Sequence, residues 1–255
     1  MGFDVPADAY DRFMGRYSRQ LSGPLCELAG IDAGQRALDV GCGPGVLTAE
    51  LVARLGAGGV AAVDPSGPFV RAARERLPGV DVRRAAAEQL PFPDAAFDAA
   101  LAQLVVHFMD DPARGVGEMR RVTRAGGVVA ASVWDHGGGG GPLSPFWAAV
   151  RELDPDARDE SGLAGSRAGE LEALFREAGL EGVAETALPA GVDYASFEEW
   201  WGPFEHGVGP AGAYVASLDD GRRAELRERC RERQGDGPFT IRARAWTATG
   251  VVPGP

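Results

Sequence analysis

Between Arg36 and Trp134 short apolar runs alternate with amphipathic segments, and this alternation leaves the chain few ways to fold. Strand, helix and strand in succession close as a parallel βαβ unit, and several units bury one sheet between two helical layers. Strands are expected at Arg36 to Val40, Val60 to Val63, Asp81 to Ala85, Phe97 to Leu104 and Gly127 to Trp134. Helices are expected between them. Val46 to Leu55 stacks Leu47, Leu51 and Leu55 at i, i+4 spacing and stops at Gly56, Pro68 to Leu77 opens on proline, and Pro112 to Val122 does the same.

Beyond Asp135 the pattern loosens. Gly137 to Gly141 is a run of five glycines, read as a flexible loop, and it follows the carboxyl end of a strand, where open α/β sheets bind ligands. Ala168 to Ala178 reads as a helix ending at Gly179, with strands at Val183 to Leu188 and Phe239 to Thr249. The long segment between those last strands carries helical pieces and is read as an insertion that caps the sheet. The expected organisation is therefore an N-terminal helical segment over 1–35, a doubly wound α/β core over 36–193 and 235–255, and a helical cap over 194–234.

A length of 255 residues suits one such domain with an insertion. No apolar run approaches the roughly 20 residues that span a bilayer, and the charged first twenty residues do not read as a secretory signal. Cys26, Cys42 and Cys230 are odd in number and lack metal-type pairing, so neither a disulfide framework nor a bound metal is expected, and a cytoplasmic location is. The net charge of −11 argues against nucleic acid as a partner. The arginines of Arg222 to Arg233 interleave with Glu225, Glu228 and Glu232, which reads as an ion-paired helix face.

The most informative stretch is Leu38-Asp39-Val40-Gly41-Cys42-Gly43-Pro44-Gly45. A glycine turn between strand and helix lets a ligand approach the backbone. A dinucleotide fingerprint would want glycine or alanine at Val46. Asp39 ends a strand expected to be buried, so its carboxylate needs a cationic partner, such as a ligand ammonium, and would repel a pyrophosphate. The next strand leads to Asp64, placed to accept hydrogen bonds from two ribose hydroxyls, each typically about 1.5 to 3 kcal/mol. An acid seeking an ammonium beside an acid seeking a sugar suits an amino-acid nucleoside.

On these residues the chain resembles class I S-adenosylmethionine-dependent methyltransferases, in particular the family that includes ubiquinone and menaquinone biosynthesis methyltransferases. The resemblance runs from about Tyr10 to Trp134 and includes Ala87-Glu88-Gln89-Leu90-Pro91-Phe92 and Phe97-Asp98. It implies a Rossmann-like sheet of seven strands in the order 3-2-1-4-5-7-6, the last antiparallel. It also implies that Gly41, Gly43 and Gly45 cradle the methionine part, that Asp39 faces its amino group, and that Asp64, with Pro65 beside it, holds the ribose. Ala87 and Glu88 would border adenine, Gln103 would border the cofactor, Tyr10 would belong to a segment folding over it, and Arg16 would meet its carboxylate. The family's adenine-binding aspartate falls on Ala86, which removes one expected acceptor.

Methyl transfer needs alignment and exclusion of water, and a base only when the acceptor must lose a proton. His107 and His136 follow the fourth and fifth strands and are the candidate bases; His206 is a third histidine, in the insertion. Phe197, Trp200, Trp201 and Phe204 either line an apolar pocket for a small-molecule acceptor or form the insertion's own core. The competing readings are an NAD(P)-dependent oxidoreductase, which rests on the glycine turn alone, and a non-catalytic cofactor-binding protein.

Overall fold

The structure, a computed structural model, describes residues 14–207 and 209–254. Its chain order is α1 (Gly15–Leu28), β1 (Ala37–Val40), α2 (Val46–Leu55), β2 (Val60–Asp64), α3 (Gly67–Arg76), β3 (Asp81–Arg84), β4 (Phe97–Gln103), α4 (Pro112–Val122) and β5 (Thr123–Trp134). There follow α5 (Ser144–Leu153), α6 (Glu170–Glu177), β6 (Glu181–Tyr194), α7 (Phe197–Glu205), α8 (Gly209–Ser217), α9 (Asp220–Gln234) and β7 (Phe239–Val251). All seven strands form one sheet, ordered β3-β2-β1-β4-β5-β7-β6. β1 to β5 pair in parallel, while β7 runs antiparallel to both β5 and β6. This is the topology the resemblance implies.

Every residue of β1 and β2 is buried, as expected of parallel strands with helices on both faces. β1 pairs with β2 on one side and β4 on the other, so the strand order reverses there and a crevice opens beyond the carboxyl ends of these strands. On one face α4 and α6 bury Val116, Met119, Leu171 and Phe175 against the sheet. On the other, α1 and α2 bury Leu25, Cys26, Leu47 and Leu51. Helices α7 to α9 occupy the long connection between β6 and β7, where Phe197, Trp200, Trp201 and Phe204 pack with Phe146 and Trp134 in one cluster. The rings of Phe146 and Phe204 stack at 4.6 Å. These aromatics form a core.

Three segments differ from the expectations. β5 begins at Thr123, ahead of Gly127, because Thr123 pairs with Phe97 before a register shift. β6 continues past Leu188 through Pro189 and Gly191, residues tolerated in a strand at the sheet edge. There the Gln20 side chain of α1 donates to the Gly191 carbonyl at 2.7 Å and accepts from its amide at 3.0 Å, while Arg16 donates to the Asp193 carbonyl. Helix α5, directly after the glycine run, was not anticipated.

The glycine run is a built turn rather than a slack loop. Asp135, fully buried, accepts from the Gly138 amide at 3.0 Å, from Arg244 Nε at 2.6 Å and from Trp246 Nε1 at 2.8 Å. A methyl group on Gly138 or Gly140 would collide with the Asp135 carboxylate, and one on Gly137 with Arg167. Glycine is needed here because the backbone wraps a side chain. On α9 two of the expected acids are paired, Glu232 with Arg229 at 3.3 Å and Glu228 with Arg231 at 3.7 Å, and Arg231 also reaches Glu198 of α7 at 2.6 Å. Among the described residues no helix is long and apolar enough to cross a membrane.

Candidate functional site

The crevice at the strand reversal is a cavity of about 580 Å³, lined by the turn after β1, the ends of β2 and β3, and the 103–110 segment after β4. Gly41 and Gly43 lie in its wall with φ of 73° and 54°, conformations that cost other L residues about 1–2 kcal/mol. A methyl group on Gly41 would sit 2.5 Å from Val105 Cγ1, whereas one on Gly43 would meet nothing within 4 Å. Gly45, at φ 98°, is the N-cap of α2 and is absent from the wall; its hydrogen faces Leu77, and it serves the turn.

Asp39 and Asp64 both face this cavity from buried positions. Asp39 accepts a hydrogen bond from the Thr48 hydroxyl on α2 at 2.6 Å, and the Thr48 backbone amide also favours its charged form. Burial pushes its carboxyl up to about 7; Thr48 opposes the rise and the neighbouring Asp64 adds to it. Asp64 accepts from the Gly43 amide and from the Ser66 amide, each at 2.8 Å, which ties the glycine turn to the end of β2. Burial raises its carboxyl too, against the pull of those two amides. No cation among the described residues pairs with either acid. Two desolvated acids on one cavity without a counter-ion fit a ligand that carries an ammonium and hydroxyl donors.

Pro65 and Ala87 also line the cavity, as do Glu88 and Gln103, but the last two are engaged within the protein. Glu88 Oε1 accepts from the Asp110 amide at 2.8 Å and fixes the 108–111 segment. Gln103 donates to the Ser18 carbonyl at 2.9 Å and accepts from the Ser22 hydroxyl at 3.0 Å, which pins α1 to the sheet with Ser18 in the cavity wall. Arg16 is not in the cavity wall; it is bonded to Glu199 at 2.7 Å and lies over the Tyr194 ring. Tyr10 lies outside the described residues.

His107 and His136 stand beside the cavity rather than in its wall. Their rings are 5.7 Å apart, and that of His107 lies 3.9 Å from Phe108, which does line it. Burial drives His107 well below the ordinary histidine value and His136 down to about 4, so both are neutral near pH 7. Among the described residues His107 Nδ1 is buried with no hydrogen-bond partner. His206 is exposed at the end of α7. The rings of Phe197, Trp200, Trp201 and Phe204 contribute nothing to the wall. Sequence reasoning did not anticipate Thr48, three residues beyond the last glycine of the turn, or Arg71 and Arg84, both of which line the cavity. A threonine one helical turn into α2, facing back toward the strand end, was the available signal for the first. Among the described residues no group of three or more His, Cys, Asp or Glu is placed to hold a metal ion.

Comparison with known proteins fits this geometry. Residues 38–131, from β1 to β5, match the model of the methyltransferase domain family. It is 36% identical over 115 residues to 2-methyl-6-phytyl-1,4-hydroquinone methyltransferase 2 of Oryza sativa subsp. japonica, covering 44% of this chain and 31% of that protein. It is 32% identical over 157 residues to malonyl-[acyl-carrier protein] O-methyltransferase of Pectobacterium atrosepticum, covering 61% and 59%, and 31% identical over 134 residues to demethylmenaquinone methyltransferase of Renibacterium salmoninarum, covering 52% and 54%. The chain thus spans well under two thirds of the length of each of these relatives.

Among solved structures, phosphoethanolamine N-methyltransferase 2 of Haemonchus contortus, crystallised with S-adenosyl-L-methionine, has a TM-score of 0.60 at 16% identity over 97% of this chain and 57% of that one. The YcgJ protein of Bacillus subtilis has 0.58 at 19% over 92% and 98%. The [4+2]-cyclase SpnF has 0.55 at 25% over 92% and 81%. The fold is the Rossmann-like methyltransferase fold.

Proposed function

We propose that this chain transfers the methyl group of S-adenosylmethionine to a small-molecule acceptor. The observation that carries the reading is the pair of buried acids, Asp39 and Asp64, which converge on one cavity beside a glycine turn and meet no cation among the described residues. Asp39 takes the ammonium of the amino-acid part. Asp64 takes the ribose hydroxyls on the lone pairs that the Gly43 and Ser66 amides leave open. Gly41 and Gly43 let the backbone approach, and Pro65 and Ala87 border adenine. The cofactor supplies an electrophilic methyl on a sulfonium. The protein's part is to hold that group in line with the acceptor and to keep water away, using Leu104, Val105, Phe108 and Met109 as the apolar wall.

For an acceptor that must lose a proton, the neutral His107 and His136 pair, at the carboxyl ends of β4 and β5, is the proposed base. Relatives named for hydroquinone, menaquinone and carrier-bound malonyl substrates support a panel weighted toward quinols and carboxylic acids. Nucleic acid is not a proposed acceptor, and the three buried free thiols support a cytoplasmic setting. The SpnF likeness makes methyl transfer itself the thing to measure. The test is calorimetry with S-adenosylmethionine, S-adenosylhomocysteine and NADH, followed by transfer of labelled methyl across the panel. Heat with the first two and none with NADH is expected. Silence from well-folded protein with both sulfur nucleosides overturns the reading.

A further inference from the structure

We infer that Thr48 sets the charge state of Asp39, and that seating the cofactor's ammonium is coupled to release of a proton from that carboxyl. The inference rests on the proposed function and concerns how the same site is regulated. Asp39 ends β1 between β2 and β4, opposite Ala62 and Leu101, so its flanks in the sheet are apolar. The titratable groups around it are Asp64 at the end of β2, Cys42 in the turn and, further off, Cys26 on α1. All become negative when they ionise. The charged side chains of α2, Glu50 and Arg54, are turned to each other at 2.9 Å, and Gln103 of β4 is neutral and bonded to α1. Among the described residues nothing basic reaches the carboxyl, and the side-chain donor it meets is the Thr48 hydroxyl.

A buried acid in such surroundings holds its proton at neutral pH, and with a value of about 7 roughly half the molecules are protonated in neutral solution. An arriving ammonium N–H requires the carboxylate form. The carboxyl proton therefore leaves to solvent as the ion pair forms, and the apparent affinity carries the cost of removing it. With the titration centred near 7, the dissociation constant rises about fivefold from pH 7 to pH 6 and about tenfold for each further unit down. Thr48 donates to the charged form and so favours ionisation; without its hydroxyl the whole profile moves to higher pH.

The experiment is calorimetric titration of the full chain with S-adenosylhomocysteine between pH 5.5 and 7.5, below the range in which a free α-amino group titrates at about 7.7–8.0. Each pH is run in two buffers of different ionisation enthalpy, which yields the number of protons released. About half a proton is expected at pH 7, approaching one proton at pH 6. Thr48→Val should displace the affinity profile to higher pH, so that affinity falls about tenfold per unit across the whole range and nearly one proton is released even at pH 7, and Thr48→Ser should restore the wild-type profile. A Thr48→Val variant that weakens binding equally at every pH would mean a merely structural role and overturns the inference. So would buffer-independent heats with a flat affinity profile in the wild type, and the methyltransferase reading would then stand. No binding at any pH overturns both.

Discussion

Replacing Gly41 by alanine tests the geometry of the turn directly. Gly41 sits at φ 73°, and an added methyl would lie 2.5 Å from Val105 Cγ1 in the cavity wall. The left-handed backbone costs an alanine about 1–2 kcal/mol, and forcing a methyl into a packed site costs about 1–3 kcal/mol more. Gly41→Ala should therefore lose about 2–5 kcal/mol of stability. Gly43→Ala is the internal control, because its φ of 54° carries the backbone cost while no atom lies within 4 Å of the new methyl. It should lose only about 1–2 kcal/mol. The double variant Gly41→Ala, Val105→Ala should recover the steric share, giving a coupling energy of about 1–3 kcal/mol. Urea unfolding followed by circular dichroism at fixed pH measures these variants beside the wild type and the Val105→Ala single variant, which closes the cycle. Equal losses for the two glycines, or no coupling with Val105, would refute the contact on which the account of the turn depends.

Three further outcomes are expected. Asp135→Asn puts an amide where three donors converge, from Gly138, Arg244 and Trp246, and should cost about 2–4 kcal/mol in urea unfolding; a loss within about 0.5 kcal/mol would contradict the built turn. Glu160 is buried against the Trp147 indole and its carboxyl is raised from 4.5 to about 7, so the folded state binds that proton more tightly than the unfolded chain. Its contribution to stability is full below about pH 4.5 and is lost as pH rises toward 7, by about 2–4 kcal/mol. Glu160→Gln should remove that part of the slope between pH 5 and 8, and parallel curves for variant and wild type would count against it. Ala86→Asp supplies an acceptor in the cavity wall at the edge proposed for adenine and should tighten S-adenosylhomocysteine binding up to about tenfold, as read by calorimetry; unchanged or weaker binding would show that Ala86 is not at that edge.

The first half of the chain was readable because its structure is local. Strands β1 to β4 and helices α2 to α4 are bounded by Gly45, Gly56, Pro68 and Pro112, residues whose backbone preferences act on their immediate neighbours. The second half depends on long-range contacts. Pro189 and Gly191 look like strand breakers in sequence, yet pairing with Arg244 and Arg242 of β7 carries β6 through them. The glycine run gave no hint that Asp135 would organise it, since that needs Arg244 and Trp246 more than a hundred positions away. At the site, spacing indicated Asp39, Gly41, Gly43 and Asp64, all of which reach the cavity. It could not tell that Arg16 would turn toward Glu199 or that Phe108 rather than His107 would line the cavity, because both depend on how α1 and the 106–108 turn pack.

Gln20 has a significance beyond anchoring a helix. β6 closes the sheet on one side, and the outer rim of such a strand is a row of open amides and carbonyls on which a foreign strand can begin to zip. At Gly191 the glutamine offers a donor and an acceptor together, the same pair a neighbouring strand would present, while Arg16 covers the Asp193 carbonyl. A side chain thus counterfeits one rung of a strand that does not exist, and the sheet is discouraged from growing sideways into its neighbours.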